Sequence, residues 1–154
     1  MKNNRPSLDK TFIDIAFIWS KRSTCSSRAA VGAVLVNKSN QIIASGYNGS
    51  PRSIEHCDDV GCILDSDNHC IRAIHAEQNV ILHCASNGIS SLGSSLYVTH
   101  SPCPRCCLSI IQAGITNVVY VHAYGSRQIE SILLLEKAGV KVYQYISEAA
   151  WLDN

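Results

Sequence analysis

Apolar residues recur at helical spacing near the start of the chain. The spacing predicts an amphipathic helix that ends near Lys21 or Arg22. Ser7 is suited to the N-cap, and Asp9 is favourably placed near the positive end of the helix dipole. The apolar stripe consists of Leu8, Phe12, Ile15, Ala16 and Trp19.

Two short runs rich in β-branched residues follow, at residues 31–36 and 41–47. The polar residues 37–40 separate them, so the pattern predicts a β-hairpin. Two glycines within residues 46–49 then end the second strand.

From residue 48 to residue 74 the chain shows no apolar period. A connection of this length without structure of its own is unusual in a compact domain. We expect a metal ion to order it, because coordination supplies folding free energy that the stretch lacks in apolar burial. The candidate ligands are His56, Cys57, Cys62, His69 and Cys70.

Helix and strand patterns alternate along the second half of the chain. This order predicts an α/β sandwich whose second half is largely parallel. Ligands bind such sheets at the carboxyl ends of strands, where Cys103 and Cys106 are expected. Gly88, Gly114 and Gly139 end the helices. The predicted helices are residues 75–87, 104–113 and 128–138, and the predicted strands are residues 95–99, 118–122 and 140–146.

Length and composition indicate one domain, residues 1–154, with a core at about residues 7–147. The net charge of +1 gives no reason to expect a nucleic-acid partner. Residues 1–9 lack the apolar core of a signal peptide, and no apolar run is long enough for a membrane helix. We therefore expect a cytoplasmic protein with no membrane partner. Its eight cysteines would stay reduced, which favours metal binding over disulfides.

Two motifs together contain the ligands of one metal site. They are His75-Ala76-Glu77 and Cys103-Pro104-Arg105-Cys106. An imidazole and two thiolates suit zinc and leave one position open, which is typical of catalytic zinc. Pro104 suits the first turn of a helix, which places Cys103 at the N-cap with both sulfurs on the same side. The positive end of that helix favours the thiolates.

Glu77 follows His75 by two positions at the start of its own predicted helix. There both side chains can face one cavity, so Glu77 can perform general acid–base chemistry without binding the metal. An isolated Cys-x-x-Cys would be better explained as a structural zinc knuckle or a redox pair, and an isolated Glu77 as a solvated carboxylate. His83, Cys84 and Cys107 have no matching partners and are interpreted as helix surface or core residues.

His-x-Glu followed by Pro-Cys-x-x-Cys is the signature of zinc nucleobase deaminases. From about Lys10 to Tyr145 the chain resembles the cytidine and deoxycytidylate deaminase superfamily. Within it, the Gly-Tyr-Asn-Gly stretch and the cysteine-rich loop resemble the deoxycytidylate (dCMP) deaminases, including the bacterial late-competence type. The segments that carry the resemblance are residues 23–25, 31–34, 46–50, 56–62, 69–70, 75–79, 97–100 and 110–115.

The resemblance implies a three-layer α/β/α sandwich of the cytidine deaminase type, with a central mixed sheet of about five strands. It implies that His75, Cys103 and Cys106 hold a catalytic Zn²⁺. Glu77 would move protons between water, the cytosine ring and the departing ammonia. The substrate would be dCMP, and the product dUMP would supply thymidylate synthesis.

The resemblance also implies substrate contacts. The backbone around Ala76 would meet the cytosine carbonyl, and Asn48 the deoxyribose and base. The phosphate needs a cationic or N–H-rich surface, for which Arg28 is the first candidate and Arg105 the second. Tyr124 would flank the substrate. Arg28 could equally be a surface arginine, and Tyr124 a packing residue.

Some members of this family carry a second, structural zinc. Cys25 and Cys57 match positions that bind it, with further ligands from Cys62, His69 and Cys70. Because adjacent residues rarely both bind one ion, we expect only one of His69 and Cys70 to be a ligand of this zinc. The alternative is a mobile loop with reduced, unliganded cysteines.

The family commonly forms homohexamers that dCTP with Mg²⁺ activates and dTTP inhibits, and the same is expected here. Two rival functions stay open. A tRNA adenosine deaminase should have a basic surface, and the near-neutral charge argues against it. An inactive zinc-bound regulatory protein would have little reason to keep Glu77 beside intact ligands.

Overall fold

A computed structural model describes residues 5–66 and 68–146 of the chain. Residue 147, the expected end of the core, lies outside the described residues. The described elements are α1 (Leu8–Ser20), β1 (Gly32–Val36), β2 (Ile42–Tyr47), α2 (Cys57–Val60), α3 (Ala76–Asn87), β3 (Ser95–His100), α4 (Pro104–Gln112), β4 (Asn117–His122), α5 (Gln128–Lys137) and β5 (Lys141–Gln144).

The five strands form one mixed sheet in the order β2-β1-β3-β4-β5. β1 pairs antiparallel with both β2 and β3, whereas β3, β4 and β5 run parallel. The predicted hairpin, the parallel second half and the α/β class with a mixed five-stranded sheet are therefore confirmed. The last strand is shorter than the predicted residues 140–146.

Alternate side chains of the strands divide the core into two layers. On one face, Ala33 of β1 and Val98 of β3 pack with residues of α3, α4 and α5. On the other face, Val34 and Tyr97 pack against Phe12 and other residues of α1. Helices cover both faces of the sheet, which explains why every residue of β1 is buried.

Helix α1 begins as predicted, because the Ser7 hydroxyl accepts a hydrogen bond from the Lys10 N–H. Its buried face differs from the predicted stripe. Leu8 is 51% exposed, whereas Ile13 is buried. The helix also lies very close to β1, since a side chain at Gly32 would collide with the carbonyl of Ala16.

The described part of residues 48–74 contains only the four-residue α2 and isolated bridges, as the missing apolar period predicts. Gly49 and Ile74 exchange both backbone hydrogen bonds, which closes the base of this loop. The large apolar side chains of its interior stay exposed: they are Ile54, Val60, Ile63, Leu64 and Ile71. No helix among the described residues is long and apolar enough to cross a membrane.

Candidate active site

Two helix starts bring the three predicted zinc ligands together. His75 is the N-cap residue of α3, and Cys103 is the N-cap residue of α4. Pro104 occupies the first helical position of α4, where its missing N–H leaves no hydrogen bond unmade. Cys106 follows in the first turn and is fully buried. β3 ends at His100, so the site lies at the carboxyl end of a strand, as expected.

The ligand atoms are close enough to share one ion. The Nδ1 atom of His75 lies 3.3 Å from the Cys106 Sγ and 3.6 Å from the Cys103 Sγ. All three atoms lie within 4.8 Å of one another. Tetrahedral zinc with ordinary bond lengths would separate a nitrogen ligand from a sulfur ligand by about 3.6 Å. The three residues present therefore fit Zn²⁺ with a fourth position open.

The electrostatics of the cluster also suit a dication. A hydrogen bond from Cys106, aided by one from His75, lowers the pKa of Cys103 to about 3. The pKa of Cys106 is raised, because it shares its proton with Cys103 and is buried. The hydrogen bond to Cys103 raises the pKa of His75. Of the three ligands, Cys103 therefore loses its proton most readily, and a metal ion would displace protons from the other two.

Glu77 lies in the first turn of α3 beside this cluster. Its side chain is 4% exposed, and burial is the main cause that raises the pKa of its carboxyl group. Among the described residues it is not one of the three that share a potential metal position. Because burial disfavours the charged form, this carboxyl group takes up a proton more readily than an exposed one.

A cavity opens in front of the cluster and contains every predicted substrate contact except Arg105. Arg105 lines a neighbouring surface cavity, which the zinc ligands His75, Cys103 and Cys106 also line. The Tyr124 N–H donates a hydrogen bond to the Ser101 hydroxyl, which holds this tyrosine at the cavity wall. The lining residues used below are Arg28, Asn48, Ala76, Glu77, His100 and Tyr124.

Asn48 connects the cavity to the chain before β1. Its Oδ1 accepts a hydrogen bond from the Val31 N–H at 2.7 Å, and its Nδ2 donates to the Ala29 carbonyl at 2.8 Å. One N–H of the amide remains available. Asn48 therefore fixes the cavity wall and can still contact a ligand.

Arg28 spans the cavity and the loop of residues 48–74. Its guanidinium donates to the Asn68 carbonyl. It also lies near Tyr124. Its positive charge lowers the pKa of this tyrosine and so opposes the increase that burial causes. Arg28 is exposed, and the hydrogen bond to Asn68 connects it to the loop.

A second group of potential ligands lies beside the same cavity. It comprises Cys25, Cys57, Cys62 and Cys70, whose sulfurs lie within 4.8 Å of one another, and we call it the four-thiol cluster. Two of its sulfur pairs are 3.5 and 3.6 Å apart. Burial raises the pKa of Cys70, but N–H groups of Ala73 and Arg72 outweigh it and lower that pKa to about 7. Of the two adjacent candidates, Cys70 joins the cluster and His69 does not.

Comparison with known proteins agrees with this geometry. The "cytidine and deoxycytidylate deaminase zinc-binding region" matches residues 6–122. The chain belongs to this deaminase family. ComE operon protein 2 of Bacillus subtilis is 45% identical over 140 residues, covering 91% of this chain and 72% of that protein. The resemblance to the family, including its late-competence member, is confirmed.

Two further relatives are named as dCMP deaminases. Deoxycytidylate deaminase of Saccharomyces cerevisiae is 36% identical over 146 residues, covering 92% of this chain. The chain spans only 46% of that yeast protein. The crystal structure of the cyanophage S-TIM5 dCMP deaminase in complex with dCMP and dUMP superposes with a TM-score of 0.79 at 35% identity, covering 92% of this chain and 98% of that one.

Sequence reasoning missed two polar residues that line the cavity, His100 and Ser101. Both directly precede the Pro-Cys-x-x-Cys motif at the end of β3, and their place at the carboxyl end of a strand was the available signal. Burial and the nearby His122 lower the pKa of His100. Of the remaining candidates, His83 is exposed, whereas Cys84 and Cys107 are buried in the core, as interpreted from the sequence.

Proposed function

We propose that this chain catalyses the zinc-dependent hydrolytic deamination of dCMP to dUMP and ammonia, which supplies dUMP for thymidylate synthesis. One observation carries the proposal. Three ligands that fit zinc and leave one position open lie together, and two of them, His75 and Cys103, line one cavity with the buried Glu77. The likeness to a dCMP deaminase with dCMP and dUMP bound supports the choice of substrate.

His75, Cys103 and Cys106 would hold the zinc, which when bound makes a water molecule far more acidic. Glu77 moves the protons. Its carboxylate accepts one from the attacking water and donates it to the ring nitrogen of cytosine, and it then assists the departing ammonia. Its burial supports this role, because a raised pKa makes the carboxylate a stronger base toward the attacking water.

The other cavity residues would orient the nucleotide. Ala76 is the first residue of α3, where backbone N–H groups have no partner within the helix and can meet the cytosine carbonyl. The remaining amide N–H of Asn48 would contact the deoxyribose, and Tyr124 would flank it. Arg28 is the proposed partner of the phosphate, supported by its place beside Tyr124.

The four-thiol cluster is our proposed structural zinc site. Four sulfurs close the coordination of zinc, which is typical of structural sites. The loop that supplies three of them exposes its large apolar side chains, so coordination would replace the missing core. The ion would fasten this loop to Cys25, which lies between α1 and β1.

We also propose an assembly and a mode of regulation, both suggested by the family resemblance. A homohexamer is supported by exposed apolar residues on neighbouring helices, namely Leu108 of α4 and Ile129 and Leu133 of α5. Activation by dCTP with Mg²⁺ and inhibition by dTTP are proposed on the family resemblance alone. A cytoplasmic location is supported by the free cysteines of both clusters, which need a reducing environment.

A comparison of substrates tests the proposed function. Ammonia release is measured for the zinc-loaded protein with dCMP, deoxycytidine, guanine and tRNA. We expect the highest kcat/KM with dCMP. Preferential release from tRNA would instead identify an adenosine deaminase, and no release from any of them would favour the regulatory protein without activity.

A further inference from the structure

Two contacts between sulfur atoms divide the four-thiol cluster into pairs. The Cys25 Sγ lies 3.5 Å from the Cys62 Sγ, and the Cys57 Sγ lies 3.6 Å from the Cys70 Sγ. All four thiols are free. A disulfide bond is about 2.05 Å long, so the sulfurs of each pair need to approach by only about 1.5 Å. Four thiols can be joined in three ways, and these contacts favour one of them.

Each pair combines a buried thiol with a more accessible one. Cys25 and Cys57 are 2% and 4% exposed, whereas Cys62 and Cys70 are half-buried. Cys70 also lines both the catalytic cavity and the neighbouring cavity, so a small oxidant can reach it. An accessible cysteine beside a second cysteine is the arrangement of reversible oxidation sites, because the first reacts with the oxidant and the second forms the disulfide.

The loop of residues 48–74, which supplies three of these thiols, can adjust to bring the sulfurs together. Its large apolar side chains are exposed, so few packing contacts hold its interior. Its ends are fixed, because Gly49 and Ile74 exchange backbone hydrogen bonds at 3.1 and 2.8 Å. The interior of the loop can therefore move by the distance that a disulfide requires while the packed helices stay in place.

We propose that the four-thiol cluster is a site of reversible oxidation, at which a hydroperoxide forms the disulfides Cys25–Cys62 and Cys57–Cys70. A zinc ion bound there leaves in the same reaction, because thiolates bind zinc and disulfides do not. The oxidation goes beyond the proposed deaminase function and requires no substrate. Only the release of zinc rests on the proposed structural site.

Each disulfide consumes one molecule of hydrogen peroxide. The thiolate of the accessible cysteine attacks one peroxide oxygen, breaks the O–O bond and becomes a sulfenic acid, and hydroxide leaves. The buried thiolate then attacks this sulfur, forms the S–S bond and expels a second hydroxide. The two sulfurs together lose two electrons, which the peroxide gains.

Disulfide mapping of the oxidised wild-type protein tests the pairing. The protein is treated with a small molar excess of hydrogen peroxide, blocked at its free thiols and digested. Trypsin cuts after Arg28, and an aspartate-specific protease cuts before Asp58 and Asp65, so the four cysteines fall on separate peptides. We expect the two proposed disulfides, and we expect dithiothreitol to return all four cysteines to thiols. Disulfides that join other pairs, or four cysteines that stay unoxidised or reach sulfinic acid unpaired, overturn the proposal.

Cys103→Ser isolates the release of zinc, because Cys103 and Cys106 of the catalytic centre also lie close enough to be oxidised. In this variant the zinc of the four-thiol cluster should be released in proportion to the two disulfides, and dithiothreitol with added zinc should restore it. Cys84→Ala is the matched control, because Cys84 lies outside both clusters and its loss should leave the disulfide map unchanged.

The outcomes separate the oxidation site from the other proposals. Zinc that stays bound after both disulfides have formed contradicts its release. A Cys103→Ser protein without zinc before oxidation overturns the structural zinc site, while the wild-type map still decides the oxidation site. The map also decides alone should Cys103→Ser fail to fold. A wild-type protein that does not deaminate dCMP overturns the proposed function and leaves the disulfide map to judge the oxidation site.

Discussion

The catalytic centre and the four-thiol cluster contain similar ligands but obtain their geometry differently. His75 and Cys103 are the N-cap residues of helices that pack on the central sheet. Cys57, Cys62 and Cys70 lie within residues 48–74, where the large apolar side chains are exposed. In the first region the core positions the ligands before any metal binds. In the second, our account assigns the positioning to the metal itself.

This difference predicts how a substitution in each region affects activity and stability. A change in the catalytic centre should remove chemistry while the fold survives, because the helices stay packed. A change in the four-thiol cluster should release the loop and lower stability, because little else holds it. Three substitutions test this contrast.

The largest effect is expected for Glu77→Gln. The amide keeps the shape of the side chain but cannot move protons, so kcat should fall by about 10²- to 10⁴-fold. Zinc content should not change, since Glu77 is not among the three clustered ligands. Stability should be equal or higher, because the substitution removes a buried ionisable group. Steady-state kinetics, metal analysis and thermal unfolding measure the three quantities; undiminished turnover would refute the proton-transfer role.

Cys62→Ser tests the other region. We expect zinc to fall from two equivalents to one, and the unfolding free energy to fall by roughly 3–5 kcal/mol as the structural site is lost. Limited proteolysis should then cut within residues 48–74. Cys84→Ala is the control, because this thiol is buried in the core outside both clusters. It should keep both zinc ions and lose only about 1 kcal/mol. A wild-type protein with a single zinc would contradict the structural site.

Arg28→Ala should have the smallest effect, because Arg28 connects the two regions without belonging to either cluster. Its guanidinium binds the Asn68 carbonyl in the loop and also lines the catalytic cavity. KM for dCMP should rise about tenfold, and KM for deoxycytidine should rise much less, because only dCMP carries the charged partner. Equal effects on both substrates would remove the phosphate role and leave Arg28 a support for the loop.

The sequence predicted the parts of the molecule that local signals determine. Pro104 after Cys103 predicted a helix start, and Gly88 predicted a helix end, which the structure forms with φ of 65°. The exposure of Leu8 was not predictable from periodicity, because it depends on where α1 crosses the sheet. The choice of Cys70 over His69 likewise depends on the path of a loop without an apolar pattern.

The position of Arg105 shows the same limit. Arg105 lies within the metal motif, so proximity in sequence favoured it as a phosphate ligand. The structure places it in the neighbouring cavity that the zinc ligands also line, because successive side chains of a helix point in different directions.

A zinc titration of the metal-free protein tests the central claim most directly, with dUMP formation from dCMP and bound zinc measured on the same samples. The account predicts no dUMP without zinc and full turnover once the site of His75, Cys103 and Cys106 is loaded. It also predicts that Glu77→Gln, at the same zinc content, turns over about 10²- to 10⁴-fold more slowly. Equal rates of dUMP formation with and without bound zinc would contradict it.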